Sequence, residues 1–120
     1  MLSIIELTRY LKQGVSGIFY PNNFPASAVD DCSHIAYTGG TPTVGGVGKM
    51  NIQVQTRSVE VGKAEQQAMK IRAFLEDTGF YLGSTQVIIV KTNDILPLYL
   101  GEDENGRHIF SVNYQFTVGV

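Results

Sequence analysis

The chain has 120 residues, 43% hydrophobic and 17% charged, with no Trp and a net charge of −2. That length makes one domain, large enough to bury roughly two thirds of its unfolded surface around one core. The charge excludes a global basic field for holding DNA or an anionic membrane. The single Cys32 excludes an internal disulfide, and no apolar run nears the about 18 residues of a bilayer-spanning helix.

The first helix is expected over residues 3–13. Ser3 and Glu6 have the spacing of a capping box, Ile4, Leu7, Thr8 and Leu11 fall on one face, and Gly14 stops it. Its polar positions Glu6, Arg9 and Lys12 interrupt the apolar stretch, so the N-terminus does not read as a secretory signal. A soluble intracellular product is the expectation. A short strand over 17–20 ends at Pro21. Residues 34–38 read as a strand, and the glycine-rich stretch 39–49 reads as a mobile loop.

Order returns at Met50. Met50, Ile52, Val54, Thr56 and Ser58 alternate with polar residues, which predicts a one-sided strand. Residues 62–78 form the main helix, with Ala64, Ala68, Ile71, Phe74 and Leu75 inward and Gly79 as terminator. Residues 87–90 are apolar on both faces, as in a central strand. From His108 to Val118 the even positions are almost wholly apolar and the odd ones mostly polar. Asn105-Gly106 before them predicts a type I′ turn that folds residues 97–101 back onto this strand. The sum is an α+β fold, α-β-β-β-α-β-β-β, with a mostly antiparallel sheet packed by two helices.

No catalytic constellation emerges. Cys32 and His34 supply two metal ligands where a structural zinc needs four. They also lack the strained elbow and oxyanion donors of a nucleophile site, and read as a buried thiol beside a loop histidine. Counting back from Gly48-Lys49, a phosphate loop would need a glycine where Thr43 stands and a hydroxyl where Met50 stands. Asp103, Asn105 and Gly106 imitate part of a calcium loop, but Gly101 and Val112 occupy the first and last ligand positions. Neither a cofactor nor an enzymatic activity is expected.

Two blocks resemble a known family. One is residues 51–77, a strand ending in Thr56-Arg57-Ser58, a polar turn, and a helix with small residues on its buried face. The other is residues 97–118, with Asp103-Glu104-Asn105-Gly106-Arg107 followed by Phe110-Ser111-Val112-Asn113-Tyr114. Together they resemble small minor capsid proteins of tailed bacteriophages and prophages of Gram-positive bacteria, which are similar in turn to tail terminators of long, non-contractile tails. The resemblance implies a structural virion protein without cofactor at the head–tail junction. It would be a hexameric ring that caps the tail tube, meets the major tail protein and the head connector, and lets genomic DNA through its lumen. It would assemble in the host cytoplasm and end in the virion, with no membrane involved.

A ring needs a head-to-tail interface between unlike surfaces. The candidates are the 39–49 segment (Gly40, Thr41, Val44, Gly46, Lys49), the hairpin tip (Glu102, Asp103, Glu104, Arg107), and Lys63 and Lys70 on the exposed face of the main helix. Another neck or tail-completion protein is the first alternative. A small ligand-binding or enzymatic α+β domain is the second, and a deep polar pocket holding Cys32 and His34 would favour it.

Overall fold

The computed structural model describes residues 2–119. Helix α1 (Ile4–Gly14) is followed by strands β1 (Phe19–Pro21), β2 (Cys32–Val44) and β3 (Val47–Ser58). Helix α2 (Val61–Leu75) precedes β4 (Phe80–Leu82), β5 (Thr85–Thr92), β6 (Leu98–Glu102) and β7 (His108–Gly119). The fold is α+β, with two helices and a curled, mostly antiparallel sheet of seven strands. Its order is β1-β2-β3-β7-β5-β4, and β6 also pairs with β7. β4, a short strand ahead of β5, is one more than the sequence predicts.

β7 carries the sheet. Its alternation works as read: Phe110, Val112, Tyr114, Phe116 and Val118 are buried and join Ile52 and Val54 of β3 in one core. Each such large side chain contributes about 1.5–3 kcal/mol when withdrawn from water. Both helices press onto this face, α1 through Leu7 and Leu11 and α2 through Ala64, Ala68, Ile71 and Leu75. The alanines let α2 lie close. Tyr10 of α1 stacks on Phe80 at 4.2 Å and meets Phe74 of α2 at 5.0 Å, which joins the helices to β4.

The segment expected as a mobile loop, 39–49, is instead the outer half of a long β2–β3 hairpin. Gly45 and Gly46 both have positive φ, 62° and 80°, and form its two-residue turn. Such a pair fits the type I′ geometry that matches strand twist. The register shift near Thr38 and the close pass of Gly40 over Lys49 use the other glycines for strand packing, not for mobility.

Smaller departures have similar causes. Ser3 caps α1 by accepting from the Ile5 N–H at 3.2 Å, while the Glu6 carboxylate lies toward the Gly83 turn. Gly14 is the last helical residue, and the chain leaves through extended Val15. The glycine is required for space, because a Cβ there would strike the Phe74 ring. α2 stops at Leu75, short of Gly79. Asp77 turns with φ 59° and donates its N–H to the Val90 carbonyl, which ties the helix exit to β5. β5 lies one strand in from β4 and exposes Ile88, so it is not a central strand buried on both faces.

Candidate assembly surfaces

The sequence-predicted residues fall in three places. Thr41, Val44, Gly46 and Lys49 cluster at the exposed tip of the β2–β3 hairpin, with Gly40 just inside it. Val44 is 80% exposed. β1 covers β2 only at residues 33–35, so among the described residues no strand pairs with its outer side from Ala36 to Val44.

The second place is the β6–β7 turn. It is not type I′: Asn105 keeps a negative φ, Gly106 alone is left-handed at 73°, and its N–H donates to the Asp103 carbonyl. This is a type I turn with a glycine bulge. The Asp103 carboxylate accepts from the Asn105 and Arg107 N–H groups at 2.9 and 3.0 Å, and from Arg107 Nε at 2.8 Å. Those bonds, led by the Arg107 backbone N–H, hold its pKa below the usual carboxylate range. Arg107 also faces Asp30 at 3.6 Å. Asp103 and Arg107 therefore build the turn, while Glu102 and Glu104 project from it.

Lys63 and Lys70 of α2 line a third place, a cavity of about 220 Å³ with Asp31, Cys32 and Arg57. Lys63 is paired to Glu60 at 2.7 Å. Burial pushes the Cys32 thiol pKa up, which keeps it protonated and a poor nucleophile. His34 does not line this cavity. It is not a loop histidine either: it is buried on β2, bonded to Gln55 at 3.0 Å and edge-on to Phe24. Among the described residues no three His, Cys, Asp or Glu side chains converge on a metal position, and no helix is long and apolar enough to cross a membrane.

Two features were not singled out from the sequence. Arg57, buried on the sheet face opposite the helices, lies 4.4 Å from the Phe24 ring and donates to the Ala28 and Val29 carbonyls. It straps the 22–31 segment to the sheet. The other is a run of exposed apolar side chains, Ile95, Leu96, Leu98, Tyr99 and Leu100, along and before the free edge of β6. Its spacing looks like that of a buried strand. The hint to its exposure is the acidic residues around it, Asp94 and Glu102.

The sheet face away from the helices is a surface in its own right. Ladder partners share a face, so Lys49 with Thr117, Asn51 with Gln115, and Gln53 with Asn113 stand side by side. All are at least partly exposed, and Lys91 adjoins Gln115 from β5. None of these positions carries a carboxylate, although the chain has eleven Asp and Glu.

A search of curated proteins finds no match to the sequence. Among solved structures, a chain from the virion of a native gene transfer agent (GTA) particle shares the fold. Its TM-score is 0.63 at 7% identity, over 95% of this chain and 84% of that one. A family model described as bacteriophage tail terminator protein matches residues 10–119. The chain therefore belongs to the bacteriophage tail terminator family and is a structural protein of the phage tail.

Proposed function

We propose that copies of the chain form a ring, hexameric in the virion, that sits on the end of the tail tube and joins it to the head connector. Its partners are then its own copies, the major tail protein and the connector, with genomic DNA crossing the lumen without sequence recognition. Assembly takes place in the host cytoplasm.

The observation that carries this reading is the polar part of the sheet face that neither the helices nor the 22–31 segment covers. Turned to a lumen, Asn51, Gln53, Asn113, Gln115 and Thr117 offer neutral hydrogen-bonding groups, and Lys91 beside them is paired to Asp77. Passing phosphates meet neither a repelling field nor the dense cationic track that supports tight binding. The net charge of −2 is no obstacle, because none of these five polar ladder positions carries a carboxylate.

Removing the gene from a phage that encodes it tests the proposal. Filled heads and separate tails should accumulate, and supplying the chain in trans should restore joined particles. Joined, infectious particles in its absence would overturn it.

A further inference from the structure

Two stretches of strand, β6 and the outer half of β2, have an open side, and they differ in character. Around β6 the run of apolar residues is exposed, with Ile95 at 86%, Leu96 at 58% and Leu100 at 53%. No described strand pairs with the outer side of β6. Exposed apolar edges of this kind invite strand addition or aggregation, and soluble monomers normally blunt them. Here the run is held firm instead: Arg72 of α2 donates to the Ile95 carbonyl, and Asn93 donates to the Asn113 carbonyl. The opposite edge is the outer half of β2, with Tyr37 and Val44 exposed and its backbone unpaired.

The two edge segments carry opposite net charge along the chain. Residues 92–104 hold Asp94, Glu102, Asp103 and Glu104 and no Lys or Arg. Residues 32–59 hold Lys49 and Arg57 and no carboxylate. The edges lie on opposite sides of the sheet order, so one cannot reach the other within a chain. A contact between unlike surfaces of successive copies is the kind that closes a ring.

We propose that the β6 edge of one copy docks on the outer β2 edge of the next, with the 95–100 run covering Tyr37 and Val44 and the acidic flank facing Lys49. This rests on the ring reading above and names the interface that builds it. It makes the β2–β3 hairpin and the β6–β7 turn two halves of one contact.

Crosslinking in assembled tails tests it. Val44→Cys and Leu100→Cys change exposed side chains, and Cys32 is buried. A short bismaleimide applied to tails carrying the double variant should give a ladder of linked copies up to the full ring. Either single variant should give none. Leu98→Lys with Leu100→Lys should remove the chain from tail ends, while Ile88→Lys, an equally exposed apolar site on β5, should not. Rings visible at tail ends without a ladder would overturn the interface and leave the ring reading standing. Dimers from a single variant would overturn it in favour of like-with-like contact. Absence of rings from tails that carry the chain would overturn the ring reading itself.

Discussion

Arg72 on α2 donates a hydrogen bond to the backbone carbonyl of Ile95, an apolar residue that stands almost wholly in solvent. The same guanidinium bonds Glu76 and the Thr92 hydroxyl. A largely buried cation thus fixes the approach to the β6 edge from inside the molecule.

Replacing Arg72 with Met keeps the apolar stem and removes these bonds. Bonds to a charged donor contribute about 1.5–3 kcal/mol, so a loss of about 2 kcal/mol in unfolding free energy is expected. Hydrogen exchange should also speed up in residues 93–96. Unchanged exchange there would mean that the segment is held by something else.

Gly14→Ala sets helix propensity against packing. Alanine is favoured over glycine in a helix by about 1 kcal/mol. The added Cβ would strike the Phe74 ring, which is engaged with Tyr10. Overpacking of this kind costs about 1–3 kcal/mol, so packing should win and the melting temperature should fall. A rise would show that the ring moves aside freely.

The core alternation of β7 was legible because a period of two needs no knowledge of neighbours. The α2 face and its alanines were legible for the same reason. The 39–49 hairpin was not. Counting glycines suggested mobility, whereas Gly45 and Gly46 supply a turn and Gly40 a close approach. The sequence named residues 39–49 and the β6–β7 turn as candidate contacts; the structure shows that Val44, Glu102 and Glu104 are exposed there, while Asp103 and Arg107 are spent on the turn itself. The 95–100 run escaped notice because exposure at an edge depends on which strand is missing beside it, and that is a tertiary fact. Arg57 escaped because nothing local says that its partners are carbonyls and a ring some thirty residues upstream.

His34 gives stability a pH dependence. Its environment is Gln55, the Phe24 ring and the Arg57 cation, and burial, the larger cause, lowers its pKa from 6.5. The folded state therefore binds the proton less readily than the unfolded chain. Stability is full above pH 6.5 and declines as pH falls from there toward the depressed folded value. Thermal melts of the wild type should show this slope, and His34→Gln should flatten it. Equal slopes would contradict the assignment.

Tyr114 is fully buried, and its hydroxyl has no hydrogen-bond partner. Burial drives its pKa far up, so it stays neutral. Tyr114→Phe removes a desolvated polar atom without opening a large cavity. It should melt at or above the wild-type temperature, with a gain of up to about 1–3 kcal/mol. A clear loss of stability would reveal a bond to that oxygen in solution.

Imaging the head–tail junction by cryo-electron microscopy, in particles whose only copy of this chain carries a density label, is the most direct test of the assembly proposed here. The label should appear as six points in one ring, at the end of the tail tube next to the connector. Label spread along the tube, or absent from the junction of joined particles, would contradict it.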